Sequence, residues 1–425
     1  MVQFVYMKGD EQAGLIAEAV VQQLITPNAP ASLELQTFDL TFQSVADAPA
    51  VVAESAAALL ACGAGFKTST VTVGASSAAR LGVPASVSKN TTLRRAMGGC
   101  MVMRAPLVIE GFAPLIAGLT APITVCRHAV GCHTEAVELA AAGAGVVELV
   151  FTPAGGGAPV KLQLAELGGA GGVAYAQAQQ SADVADFARS CFGVARDKAQ
   201  PLVLTTKNTI LQTYDQAFVD AFEAEAAAAE NSAVEYSHRL IDDHVAAALK
   251  GSGGFVWACK NYDGDVVADM LSQVLLPLLL RLLLPLLLPL PLPLLLPLLL
   301  LPLPALTAPL LQAYGSRGMM TSAVVSADSK TQLWETTHGT CRRHFAASAG
   351  DLKASSTNPL ATVMGWANGL AHAAKLAGDG GAELGAFAAK IEAAVAAAVA
   401  GGSKTAELGG SSSTAEVIAA VAAAM

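Results

Sequence analysis

Charge and aromatic side chains are both scarce in this chain: 14% of its 425 residues are Asp, Glu, Lys or Arg, and 5% are Phe, Trp or Tyr. Acids outnumber bases by 34 to 25, giving a net charge of −9. That balance argues against a nucleic-acid-binding surface, which needs clustered Lys and Arg to meet phosphates, although it leaves room for a local basic pocket. Seven cysteines (Cys62, Cys100, Cys126, Cys132, Cys191, Cys259 and Cys341) show no C-x-x-C spacing. Neither a zinc site nor a disulfide framework is expected, and reduced thiols suit a reducing compartment. The first residues, MVQFVYMKGDEQAG, have no charged-then-apolar signal region and no Arg/Ser-rich presequence. A cytoplasmic location is the expectation, with a mitochondrial or plastid form left open because the sequence does not fix the true start of the chain.

Long apolar runs are confined to one place. Residues 274–311 read VLLPLLLRLLLPLLLPLPLPLLLPLLLLPLPALTAPLL, and on length and hydrophobicity alone a membrane span would fit. The prolines oppose it. Pro277, Pro285, Pro289, Pro291, Pro293, Pro297, Pro302 and Pro304 each remove an N–H donor and clash with the preceding turn, at about 3 kcal/mol apiece in a helix interior. Leu and Pro codons differ by one pyrimidine, so a CT-rich stretch read in frame, such as an unspliced intron, gives this vocabulary. The tract is read as a low-complexity insert rather than a span, and it inflates the mean hydropathy of +0.49.

At this length two or three units are expected. QFVYM reads as a strand, GDEQAGLIAEAVVQQLI as a loop and helix, SLELQTFDLTF as a strand, DAPAVVAESAAALLACG as a helix and FKTSTVTV as a strand. That alternation is α/β. A Gly-rich middle is β-rich with turns. SADVADFARSCFGVARD, TILQTYDQAFVDAFEAEAAAAE and HRLIDDHVAAALK read as helices, and the chain ends in Ala-rich helices with SSST as a loop before the last.

Four stretches carry chemistry. SKNTTLRRAMGG holds Ser88, Asn90 and Arg94 as a polar loop entering a helix, with Arg104 and Arg127 following; converging guanidinium forks would suit a di- or tricarboxylate. LTTKNTI puts Lys207 directly after a strand, where an ammonium could move a proton. WACKNYDGDVVADM sets Asp265 and Asp269 four apart, on one helix face, and HRLIDDHV adds Asp242. Such carboxylates could hold Mg²⁺ or Mn²⁺, or be acids favoured by a helix dipole. ETTHGTCRRHF offers a Gly-containing basic loop that could clamp a phosphate or be a solvated surface cluster.

The strings KNTIL followed by YD, YSHRLIDD, GGFVWACKNYDGD, YGSRGMMTS, HGT with RRH, and SSTNP resemble the eukaryotic-type NADP-dependent isocitrate dehydrogenases, within the isocitrate/isopropylmalate dehydrogenase family. The resemblance covers nearly the whole chain outside the insert and does not run through a GxGxxG fingerprint. It implies an α/β fold with a large domain from both chain ends (1–98 and 312–425), a small central domain (99–131 and 181–273), a β-rich clasp (132–180) and the insert at 274–311. It further implies a homodimer with shared active sites that oxidises isocitrate with NADP and a divalent ion, Mg²⁺ or Mn²⁺, and decarboxylates the product to 2-oxoglutarate.

Carried over residue by residue, Thr72, Ser88, Asn90, Arg94, Arg104 and Arg127 correspond to the isocitrate-binding set. Asp242 (from the partner subunit), Asp265 and Asp269 correspond to the metal ligands, Lys207 to the catalytic lysine, and Asp265 to a possible assisting base. Lys67, Thr70, Thr72, Gly339, Thr340, Arg343, His344 and Asn358, with Lys250 reaching across, fall where the family grips NADP, and Arg343 with His344 would meet the 2′-phosphate. GGCMVMR carries one residue more than the family's GGTVFR, which calls for a bulge before Arg104. Thr134 stands where the family has a catalytic tyrosine and Cys132 where it has an acid, leaving His133 as the nearest titratable stand-in. A catalytically impaired homologue or pseudoenzyme, and a relative acting on another 2-hydroxy acid, are therefore the alternatives.

Overall fold

The structure is a computed structural model that describes residues 1–73, 78–80, 82, 88–107, 119–273 and 319–425, with backbone alone at 99, 100, 132 and 273. The insert at 274–311 lies outside the described residues. No helix among those described is long and apolar enough to cross a membrane.

A ten-stranded sheet forms the frame. In spatial order it runs β11 (Tyr236–Leu240), β10 (Leu202–Thr206), β12 (Val256–Cys259), β5 (Thr124–His128), β4 (Gly99–Pro106), β13 (Met320–Ser326), β14 (Gln332–Thr336), β3 (Ala64–Lys67), β1 (Val2–Lys8) and β2 (Leu33–Asp39). The four strands from β11 to β5 are parallel to one another, as are the four from β14 to β2. β4 and β13 join the two blocks and are antiparallel to both of their neighbours. One block uses the middle of the chain, whereas the other combines its two ends.

Helices cover both blocks, as parallel strands require. Helix Leu360–Ala377 lays Trp366 against Phe4, Tyr6 and Phe66, with ring centroids 5.1–5.4 Å apart. Its Gly365 makes that approach possible, because a Cβ there would meet the Phe66 ring at 2.6 Å. Helix Ser181–Lys198 packs Phe187 and Phe192 against Phe222 of helix Gln216–Ala226. Segments read as helix from periodicity alone begin later than expected: HRL belongs to β11 and the helix starts at Ile241, while TILQTYD forms turns before Gln216. The strand expected over FKTSTVTV ends at Lys67. At the far end, Ser413 and Glu416 form a reciprocal capping box for helix Thr414–Ala424.

Away from the main sheet stand two small antiparallel ladders, β6 (Val137–Ala141) with β9 (Gly172–Ala176) and β7 (Gly145–Phe151) with β8 (Val160–Leu167). They expose large apolar groups, among them Val137, Phe151, Val173 and Tyr175 at 64–85% of their full accessibility. Two-stranded ladders seldom stand alone in water, and apolar faces of this kind mark interaction surfaces.

Candidate active site

Strand register brings distant residues together at the junction of the two blocks. Lys67 on β3 is opposite Glu335 on β14; Glu335 is opposite Ser322 on β13; and Ser322 is opposite Arg104 on β4. Residues directly opposite in a ladder share a face of the sheet, so these four polar side chains form a row across it. All four are buried. Pairing makes the row tolerable: Lys67 Nζ lies 3.5 Å from Glu335, Ser322 donates to Glu335 at 3.3 Å, and Arg94 lies 3.8 Å from the same carboxylate. Burial pushes the Glu335 carboxyl up, but Lys67, Arg94 and Arg104 outweigh it and hold it below its usual range. Burial pulls the Lys67 ammonium below its ordinary value; Glu335 opposes that shift and Arg94 adds to it.

Arg104 owes its place to an irregularity. Met101 pairs with Val325 and Gly99 with Ser326, so residue 100 has no opposite number on β13. The skipped residue is a bulge, and it absorbs the extra residue of GGCMVMR. Arg104 then reaches Asp265 at 3.0 Å and Asp269 at 3.4 Å. Both acids project from helix Asn261–Gln273, one turn apart. Arg127, within β5, donates to Asp265 at 2.5 Å and grips Asn261 Oδ1 at 2.7 and 3.2 Å. The glycine of KNYDGD allows the helix to sit here, since a Cβ on Gly264 would come within 2.8 Å of the Arg127 side chain. Burial lowers the Arg127 guanidinium to about 10, with Arg104 and Arg94 adding to the shift and Asp265 opposing it; it keeps its charge at neutral pH.

Ser88 caps helix Lys89–Ala96 by accepting from Thr91 N–H at 3.3 Å, which aims Asn90 and Arg94 into the same space. The result is a cleft of about 690 Å³ whose lining includes Lys67, Thr70, Thr72, Ser88, Asn90, Arg94, Arg104, Arg127, Thr134, Asp265, Gly339 and Thr340. Twelve of the side chains or loops singled out from sequence thus meet in one place. Glu11, Ser69, Glu335 and Arg342 also line it and were not singled out, whereas His338, which lines it too, belongs to the basic loop read from ETTHGTCRRHF. Thr340 donates to Glu11 at 2.5 Å, and Arg342 lies 3.6 Å from the same carboxylate. GDE was visible in the sequence, but nothing local connects it to a loop more than 300 residues away.

Other expected residues lie elsewhere. Lys207 and Asp242 pair at 2.6 Å outside the cleft, at the ends of β10 and β11, and the Lys207 ammonium holds the Asp242 carboxyl below its usual range. Lys250 is exposed at the end of helix Ile241–Lys250. Arg343 and His344 begin helix Arg342–Ser348 without lining the cleft. Asn358 is buried, its Oδ1 accepting from Leu360 N–H and its Nδ2 without a hydrogen-bond partner among the described residues. Thr134 Oγ1 donates to the Gly131 carbonyl at 2.9 Å. His133 turns away from the cleft and meets the Tyr262 ring edge-on at 5.2 Å, and burial and Arg127 pull its imidazole below the ordinary value.

Polar atoms left over in and beside the cleft indicate what it could hold. Thr70 Oγ1, Asn90 Oδ1, Arg94 Nε and Arg104 Nε are buried without hydrogen-bond partners among the described residues. The open space beside Gly339, where a Cβ would touch nothing, suits a polar ligand lying over the loop. Asp265 and Asp269 converge on one guanidinium, so their oxygens already share a cation and fit a hard divalent ion. Among the described residues, no group of three His, Cys, Asp or Glu gathers to complete such a site.

A family profile described as isocitrate/isopropylmalate dehydrogenase matches residues 117–278 and 310–421, and the interruption falls inside the Leu/Pro tract. The chain is 35% identical to "Isocitrate dehydrogenase [NADP] 1" of Mycobacterium tuberculosis over 411 residues, covering 95% of this chain and 90% of that one. It is 36% identical to "Isocitrate dehydrogenase [NADP], chloroplastic" of Medicago sativa over 413 residues, covering 95% and 84%. It is 35% identical to "Isocitrate dehydrogenase [NADP]" of Glycine max over 412 residues, covering 95% and 89%. With the profile spanning well over half its length and its α/β architecture of that kind, the chain belongs to the isocitrate/isopropylmalate dehydrogenase family.

Proposed function

We propose that the protein binds isocitrate and NADP in this cleft and catalyses the oxidation and decarboxylation of isocitrate to 2-oxoglutarate. The observation that carries the reading is the convergence of Arg94, Arg104 and Arg127 on one space beside Asp265 and the Gly339–Thr340 loop. Three guanidiniums match a tricarboxylate, and bidentate forks would fix which carbon faces the cofactor. Ser88, Asn90 and Thr72 add hydrogen bonds that distinguish the hydroxyl face.

Bound NADP would supply the hydride acceptor for the hydroxyl-bearing carbon, and Asp265 and Asp269 would hold Mg²⁺ or Mn²⁺ to polarise the substrate oxygens. Lys67 and Thr70, with Gly339 and Thr340, would hold the dinucleotide; Arg343, His344 and Asn358 would serve its outer part. Lys207 is the proton carrier at the hydroxyl oxygen in this reading. Its pairing with Asp242 has a consequence for assembly, because a neighbouring cleft that receives one of these side chains receives both. The apolar ladders β6–β9 support a homodimer that would deliver them, with Lys250 reaching the neighbour's cofactor. The division into a large unit from both chain ends, a small central unit and a clasp belongs to the same proposal, supported by the two sheet blocks and the separate ladders.

Calorimetric titration with isocitrate, alone and with Mn²⁺, alongside NADPH formation followed by absorbance, tests this directly. Saturable isocitrate binding that is weakened about 100-fold by Arg127→Ala is expected; no isocitrate binding would refute the reading.

A further inference from the structure

The cysteines differ in their surroundings. Cys126, Cys191 and Cys259 are sealed in the core, and burial pushes the Cys259 thiol far up. Cys62 is partly accessible, but burial raises its thiol as well. Cys341 is partly accessible and has an imidazole beside it, with Sγ 3.3 Å from His338 Nδ1 and 3.5 Å from the Gly339 carbonyl.

His338 Nδ1 also lies 2.9 Å from that carbonyl. A carbonyl oxygen only accepts, so the tautomer that satisfies it carries hydrogen on Nδ1 and presents the same N–H to sulfur. A donor aimed at sulfur favours the thiolate, against the Gly339 carbonyl, which at 3.5 Å accepts the S–H of the thiol. His338 is only 8% exposed, which holds the ring in place. Cys341 does not itself line the cleft, but His338, Gly339 and Thr340 before it and Arg342 after it do. An oxygen added on Sγ sits beside the His338–Gly339 contact of this loop.

We propose that Cys341 and His338 form a thiol–imidazole pair that reacts with hydrogen peroxide, and that oxidation of Cys341 weakens dinucleotide binding at the loop. The coupling rests on the reading that this loop holds NADP. In the reaction the thiolate attacks one peroxide oxygen. The S–O bond forms as the O–O bond breaks, and hydroxide leaves with the electron pair and takes a proton from solvent. Sulfur is oxidised by two electrons to the sulfenic acid, and peroxide is reduced to water.

The full-length protein is treated with hydrogen peroxide and dimedone, and the adduct at each cysteine is followed by peptide mass spectrometry, without cofactor and with NADP⁺. Cys341 is expected to be trapped about tenfold faster than Cys62, His338→Gln to slow trapping about tenfold, and bound NADP⁺ to protect. The oxidised protein is expected to bind NADP⁺ at least about fivefold more weakly, an effect absent in Cys341→Val. Equal trapping of Cys341 and Cys62 in the unsubstituted protein overturns the activated pair. Fast trapping with unchanged NADP⁺ affinity overturns the coupling. If the untreated protein binds no NADP⁺ the dinucleotide reading fails instead, and trapping without cofactor still decides the thiol pair.

Discussion

Thr134 spends its hydroxyl hydrogen on the Gly131 carbonyl, and an aliphatic alcohol has no acidity near neutral pH. His133, the nearest titratable alternative, faces Tyr262 rather than the cleft. On the proposed reading, the step that returns a proton to carbon after CO₂ loss would therefore lack a matched donor, a group typically worth about 10²–10⁴-fold in rate. Thr134→Tyr is expected to raise 2-oxoglutarate formation toward that range, while His133→Ala changes it little; steady-state product release from the two variants tests both. If His133→Ala abolishes turnover, the donor assignment is wrong. On the same proposal, cofactor choice would rest on single side chains. Arg343→Ala with His344→Ala is expected to shift preference from NADP toward NAD by removing charge for the 2′-phosphate, leaving isocitrate affinity within about twofold. Fluorescence titration with both dinucleotides reads the ratio, and an unchanged ratio would transfer the role to Arg342, which does line the cleft.

Elements decide what sequence could and could not reveal. Ser88 at the entry to a helix, Asp265 and Asp269 on one helical face, and Lys207 after a strand are local facts, legible from spacing. Glu335 was not, because its importance comes from the register of β3, β14, β13 and β4, whose paired residues lie up to 268 positions apart. The division between strand and helix in HRLIDDHV was missed for a similar reason: Tyr236–Leu240 is strand because it pairs with β10, not because of its pattern. His128, at the end of β5, illustrates an energetic effect of element packing. Its ring sits 5.0 and 5.5 Å from Phe187 and Phe218, and burial lowers its pKa from 6.5 to about 4, helped by Arg95 and opposed by the Asp183 backbone and Glu135. The unfolded chain takes up a proton as pH falls through 6.5 whereas the folded chain refuses it until about 4. This contribution is therefore complete above pH 6.5 and is lost between 6.5 and 4, by about 3 kcal/mol. Urea denaturation across that window should show the slope, and His128→Gln should lessen it, leaving the share of His244, whose imidazole pKa burial also lowers.

For the whole molecule, the family match stops at residue 278 and resumes at 310, so the Leu/Pro tract interrupts one continuous design. A chain in which Gln273 is joined directly to Ala313 is expected to fold and to be more soluble than the full sequence; loss of helical circular dichroism or of a compact elution volume would count against that. The contact between Glu11 and Thr340 sets a schedule for synthesis. A ribosome adding about 5–20 residues per second needs roughly 15–60 s to pass from one to the other. Until β14 emerges, β3 keeps an unpaired edge and the nascent chain has no cleft wall against which Glu11 can close. Fragments ending before that strand should therefore be insensitive to NADP, and the newborn protein depends through that interval on whatever shields an open sheet edge in the cell.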